Sequence, residues 1–263
     1  MFALAFPAID PIALELGPLV IRWYSLAYVA GILLGWRYII ILAAKSNNGV
    51  ERVHVDDFII WATLGIILGG RLGYVIFYNP VFFAQNPMSI FAMWKGGMSF
   101  HGGLIGVITV TWIFVRKRGL TFLALGDMIC AAAPIGLFFG RIANFINGEL
   151  YGRASDVPWA MAFPRGGEAP RHPSQLYEAG LEGLLLFCVL AVLVYRFKAL
   201  ERPGVLLGTF MAGYGLSRYL VEFVREPDAH LGTLYGIATM GQVLSLPLIL
   251  IGAWLIHRAY RLK

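Results

Sequence analysis

The chain has 263 residues, of which 59% are hydrophobic and only 14% charged. A soluble globule of this size carries about 25% charged residues, so this composition excludes an ordinary soluble fold. The net charge of +6 does not point to nucleic acid, because the basic residues collect at the ends of apolar blocks and not on one polar face.

Several of those blocks reach the roughly 20 residues that cross a bilayer as a helix. Windows of about 19 residues predict seven spans, at 18–43, 57–78, 97–115, 127–147, 174–195, 204–224 and 235–257. The expected fold class is therefore an all-α polytopic membrane protein, one membrane domain over residues 1–263. Residues 1–15 lack the basic start, apolar stretch and small-residue cleavage site of a removable signal, so the first long helix is expected to direct insertion. Cys130 and Cys188 fall inside spans, where a thiol is ordinary packing material, and no structural disulfide is expected.

Connections between the spans alternate sides. With the amino terminus outside, Lys45, Arg52, Arg116, Lys117, Arg118, Arg196, Lys198, Arg202, Arg258, Arg261 and Lys263 fall on the cytoplasmic side. Lys95, Arg153, Arg165, Arg171 and Arg225 fall outside. The positive-inside rule then sets the amino terminus out and the carboxyl terminus in. Outside, residues 79–97 carry Phe82, Phe83, Phe91, Met93 and Trp94 beside Pro80 and Pro87, as expected of an arm lying in the interface. The longest outside connection, 148–173, is rich in Pro and Gly and is expected to form a small extracytoplasmic cap.

Arg22, Arg37, Arg71, Arg141 and Arg218 fall within the spans. A guanidinium at the centre of a membrane helix costs about 2.5–3.5 kcal/mol on insertion scales and cannot lose its proton. Arg22 and Arg37 lie close enough to helix ends to snorkel; Arg71, Arg141 and Arg218 need anionic or polar partners. Arg141, Asn144 and Asn147 recur at intervals of three and share a face, followed by Glu149 and Gly152. A purely structural reading has the asparagines joining helices while Arg141 pairs with Glu149. Tyr214, Arg218 and Glu222 recur at intervals of four, and Arg218 with Glu222 alone would be a structural ion pair. If Arg141 and Arg218 meet, they form a two-guanidinium clamp whose forks match the oxygens of a phosphodiester.

His101 enters the third span flanked by Gly96, Gly97, Gly102 and Gly103, which are expected to clear space around its ring. An imidazole titrating near 6.5 suits a base at neutral pH, and the same side chain can instead orient a lipid. Ser174 is placed to cap the fifth span, and Glu178 and Glu182 set two carboxylates on one face. No His-x-x-x-His or clustered ligand spacing supports a metal, and no cofactor motif is present.

The run Gly140-Arg141-Ile142-Ala143-Asn144-Phe145-Ile146-Asn147-Gly148-Glu149, followed by Gly152, resembles the signature of the prolipoprotein diacylglyceryl transferase family. So, in the same order, do Trp23-Tyr24, Gly69-Gly70-Arg71, the Gly96 to Gly103 segment, Arg171 to Glu178, and Tyr214 through Asp228. The resemblance implies an enzyme of the bacterial inner membrane acting on phosphatidylglycerol and on a preprolipoprotein signal peptide with its lipobox cysteine. Because that substrate supplies the thiol, no nucleophile of the enzyme's own is expected. On this reading His101, Arg141 and Arg218 are the catalytic candidates, while Tyr24, Asn144, Glu149, Gly152, Tyr214 and Glu222 join Arg141 in binding substrate. A transporter for an anionic lipid or solute is the principal alternative. An intramembrane serine protease, prompted by Gly215-Leu216-Ser217-Arg218, has no evident histidine partner.

Overall fold

The computed structural model describes the chain apart from residues 1–3, 8, 18, 227–232, 235–237 and 262–263. Asp228 and Lys263, named above, lie outside the described residues. The protein is mostly helical: α1 (Trp23–Lys45), α2 (Arg52–Phe77), α3 (Pro80–Gln85), α4 (Phe100–Arg118), α5 (Phe122–Ile146), α6 (Ser174–Glu178), α7 (Leu186–Phe197), α8 (Val205–Val221) and α9 (Met240–Arg261). A wide π-helical stretch, Ala179–Leu185, joins α6 to α7 without a break. Helix thus occurs in every predicted span. Five of these helices are long and apolar enough to cross a membrane: α1, α2, α5, the continuous Ser174–Phe197 helix and α9. The 17 residues of α8 are too few for that length, and in α4 the glycines, threonines and the terminal Arg116-Lys117-Arg118 dilute the apolar run.

Large apolar side chains point away from the protein along these helices. Ile60 is 63% exposed and Leu250 70%, an outward face that water would penalise and lipid does not. The chain is a polytopic membrane protein.

Two compact units divide the chain, one of residues 40–126 and one of 1–39 with 127–263. In the first, α2 and α4 pack through small residues. A methyl on Gly73 would stand 2.7 Å from the Gly102 backbone, and one on Gly65 3.0 Å from the Gly106 carbonyl. In lipid, helix association relies on close van der Waals fit and not on expulsion of water, so the Gly65, Gly69, Gly73 row needs Gly102 and Gly106 opposite it. This corrects one expectation: Gly102 serves the helix seam, and space around His101 is not what demands it.

Arg71 has a structural task in the same unit. Its side chain donates to the carbonyls of Ser89 (2.7 Å), Ile90 (2.8 Å), Ala92 (3.4 Å), Gly96 (2.6 Å) and Gly97 (3.1 Å), and its guanidinium lies 5.1 Å from the centre of the Phe83 ring. One cation thereby gathers a segment with little regular hydrogen bonding of its own, while Trp94 (82% exposed) and Met88 (79%) face outward.

In the other unit, α8 and α9 meet at Gly208 and Gly252, where a methyl on Gly208 would stand 2.7 Å from the Gly252 carbonyl. At the start of α8, the buried Asp127 carboxylate accepts the N–H groups of Gly204 and Leu207, both at 2.7 Å. It satisfies donors that a helix start leaves free. Residues 148–173 form a compact loop. The Met161–Arg171 backbone pair, the Ser155 N–H to Pro170 carbonyl bond, and the parallel pairing of β1 (Leu4–Ala5) with β4 (Met161–Ala162) hold it together.

Replacing Arg71 with Lys keeps the charge but not the fork that reaches five carbonyls. Limited proteolysis of Arg71→Lys is expected to cut within 86–97 at least tenfold faster than in the unaltered protein, with α2 and α4 intact. Equal cleavage rates would refute the clasp.

Candidate active site

Arg141 is near the end of α5, where the helix gives way to a turn that only particular residues allow. Gly148 has φ +62° and Leu150 φ 59°, a left-handed conformation that a leucine rarely adopts. The turn is fastened from α6: Gln175 donates to the Glu149 carbonyl (2.6 Å) and the Ser174 hydroxyl to the Leu150 carbonyl (3.0 Å). The signature segment and the Arg171 to Glu178 segment are therefore one built object.

Glu149 is held by asparagines. Asn144 donates to its Oε1 at 2.8 Å and Asn147 at 3.3 Å, which aligns the carboxylate against the end of α5. The expected pairing of Arg141 with Glu149 is not what the structure has. Arg141 turns to α6 and the wide turn after it, forming an ion pair with Glu178 (3.1 Å) and another with Glu182 (3.3 Å).

Glu178 is the centre. Its Oε1 accepts Nη1 of Arg218 at 2.7 Å and Nη1 of Arg225 at 2.9 Å, and its Oε2 faces Nε of Arg141. Arg218 also pairs with Glu222 at 2.8 Å, four residues on and just past the end of α8. The two arginines singled out from sequence are thus brought together on one carboxylate. Glu178 and Glu182 are wholly buried, whereas the side chains of Arg141 and Arg218 retain 17% and 16% exposure. Among the described residues, Nη1 of Arg141 and Nε of Arg218 meet no acceptor. Glu182 Oε1 and Gln175 Oε1 are buried without a hydrogen-bond partner there, as are Oε2 of Glu178 and Oε2 of Glu222, which meet their arginines as ion pairs only, an arrangement that native interiors avoid outside functional sites.

Tyr214, one turn before Arg218, shares the electrostatic surroundings of Arg141, Arg218, Glu178 and Glu182. Tyr24, on the first turn of α1, feels Glu149 and Arg141 and lies against Tyr28, their rings 5.1 Å apart. Gly152 has no space for a side chain: a methyl would stand 2.7 Å from His172 Cβ and 2.9 Å from its carbonyl. Its N–H donates to that carbonyl at 2.8 Å. The His172 ring meets the Tyr177 hydroxyl at 3.1 Å, and burial pushes its imidazole below the usual histidine value. His101 belongs to the 40–126 unit, on the first turn of α4, exposed, with its ring edge-on to Phe100 at 5.6 Å.

Sequence reasoning noticed Glu178 and Glu182 as a pair of carboxylates but assigned them no role. Spacing does not single out Gln175, and it places Arg225 among the basic residues of the outer side. The available signal was a count: buried arginines required acids within reach, and the fifth span offered two.

The model of the prolipoprotein diacylglyceryl transferase family matches residues 11–258. The chain belongs to that family. It is 59% identical over 262 residues to the phosphatidylglycerol–prolipoprotein diacylglyceryl transferase of Paramagnetospirillum magneticum, covering 98% of this chain and 97% of the relative. The protein of the same name from Azospirillum brasilense is 60% identical, with 99% and 98% covered. That from Rhodospirillum rubrum is 59% identical, with 100% and 97% covered.

Gly152→Ala forces backbone apart at a contact with no room to give, an overpacking cost of about 1–3 kcal/mol. Hydrogen exchange across 150–173 is expected to speed up at least fivefold. Exchange equal to that of the unaltered protein would show that the contact is not limiting.

Proposed function

We propose that the chain is a phosphatidylglycerol–prolipoprotein diacylglyceryl transferase. It transfers the diacylglyceryl group of phosphatidylglycerol to the lipobox cysteine of a preprolipoprotein. The thiol sulfur attacks the diacylglycerol carbon that bears the phosphate, the C–O bond breaks, a thioether forms, and glycerol 1-phosphate leaves. This is the first step of bacterial lipoprotein maturation.

The observation that carries the assignment of roles is the sharing of one buried carboxylate by Arg141 and Arg218. With Arg141 Nη1 and Arg218 Nε uncommitted among the described residues, the pair retains donors for phosphate oxygens. Donors already in place stabilise charge that grows on the departing glycerophosphate without reorganising. The attacking thiol titrates near 8.5 unaided, and His101 is the base that takes its proton. Glu222 orients Arg218, and Tyr24 and Tyr214 line the lipid's path. Asn144 and Glu149 fix the end of α5, and Gly152 fixes the loop beside it.

In the inner membrane all seven predicted spans cross, amino terminus outside and carboxyl terminus in the cytoplasm. That orientation leaves Arg116-Lys117-Arg118 inside, with residues 148–173 capping the outer face and 79–97 lying along it. This follows the distribution of basic residues and the aromatic residues of the 79–97 segment.

Purified protein, phosphatidylglycerol and a lipobox peptide are expected to give peptide carrying the mass of one diacylglyceryl group, read by mass spectrometry. No gain from folded protein would reject the transferase and leave an anionic-lipid transporter. Arg141→Ala and Arg218→Ala are each expected to lower turnover about 100-fold or more, the scale of losing one donor to a developing oxyanion; near-normal turnover in both would reject the clamp. For His101→Gln, the limb of the pH–rate profile near pH 6.5 is expected to vanish with most of the activity. A retained rate with an unaltered profile would remove His101 as the base.

A further inference from the structure

We infer that Glu178 is a positioning residue for the transfer: it sets the spacing and orientation of Arg141 and Arg218 so that their uncommitted N–H groups meet one phosphodiester. This role rests on the transferase reading above.

A carboxylate offers about four lone-pair sites; Glu178 accepts hydrogen bonds from Arg218 and Arg225 on Oε1, at 2.7 and 2.9 Å, and holds Arg141 in an ion pair on Oε2 at 3.1 Å. These arrive from α5, from α8 and from just beyond α8, so one anion links separate elements at one point. Arginine side chains are long and flexible, and ordering them on the ligand would cost entropy at each binding event. Here they are ordered in advance. Arg225 differs from the other two, its side chain only 9% exposed and its carbonyl held by Arg153 Nε at 2.9 Å. It anchors the carboxylate, leaving Arg141 and Arg218 with the outward donors.

Charge counting separates this role from simple attraction. Arg141, Arg218 and Arg225 are matched in formal charge by Glu178, Glu182 and Glu222, so this group of six has no formal net charge with which to draw an anion. Removing the charge of Glu178 makes it net positive. Attraction alone then predicts tighter lipid binding and undiminished transfer. Positioning predicts slower transfer although binding does not weaken, because a glutamine offers one acceptor oxygen and turns an amide N–H₂ toward a guanidinium.

The test measures kcat, KM for phosphatidylglycerol, KM for a lipobox peptide and the unfolding temperature in detergent, for the unaltered protein, Glu178→Gln and Glu178→Asp. The expected result for Glu178→Gln is a kcat lowered 100-fold or more, with KM for phosphatidylglycerol unchanged or lower, KM for the peptide within twofold, and unfolding within a few degrees. Glu178→Asp keeps the charge but is one methylene shorter, so it is expected to lose kcat at least tenfold. A kcat within threefold of the unaltered protein in either variant overturns the role. So does activity that falls only in step with the folded fraction, or failure of both variants to fold, since the carboxylate would then be a stability element. If the unaltered protein transfers nothing, the transferase reading fails and takes this role with it. If it turns over while Glu178→Gln matches it, only the positioning role fails.

Discussion

Three guanidiniums share one carboxylate that is itself wholly buried. Taking a carboxylate out of water costs several kcal/mol even after relaxation, and its partners repay this only when geometry is good. Oε1 of Glu178 meets that condition, with hydrogen bonds of 2.7 and 2.9 Å from Arg218 and Arg225, and Arg141 adds an ion pair at 3.1 Å on Oε2. Fixing α5 against α6 and α8 at this point follows from it. The turn at Gly148 to Leu150 is tied to Ser174 and Gln175 at the start of α6, and the asparagine-held Glu149 stands where α5 ends. Buried ion networks are a poor source of stability compared with well-packed apolar residues. A membrane protein that keeps one has a use for the arginines.

Much of this was legible in the sequence, and the reasons differ by residue. Apolar blocks of spanning length announce helices because a bilayer offers the backbone no hydrogen-bond partners. Arg141, Asn144 and Asn147 were recognisable as a polar face because spacing of three on a helix is local information. The partner of Arg141 was not. Glu149 is eight residues away in sequence, but the chain reverses through left-handed residues at 148 and 150 and commits that carboxylate to the asparagines. The acids that Arg141 does meet are 37 and 41 positions along, a pairing that depends on how separate helices pack.

Arg71 and the glycines near His101 illustrate the same limit from the other side. A lone arginine beside a glycine pair, in a segment of family resemblance, invites a chemical reading. Its five bonds go to backbone carbonyls, a use that sequence spacing does not encode, because backbone acceptors have no letter. Gly102 likewise looked like space around an imidazole. It is instead the surface against which Gly69 and Gly73 press, and only the facing helix reveals that.

The wide turn at Ala179–Leu185 lies between these scales. Here the backbone bonds to the fifth residue instead of the fourth, a pattern rare in proteins and usually tolerated for a purpose. Glu178 enters this stretch and Glu182 lies within it, so the angle between the two acids is a property of one surplus residue in the winding. Gly183 packs against the Phe138 backbone there, with no room for a methyl. A chain one residue shorter in this stretch could wind as regular α-helix, keep every apolar contact type it has, and still present its acids to the wrong neighbours. Length, as much as identity, is part of what this helix specifies.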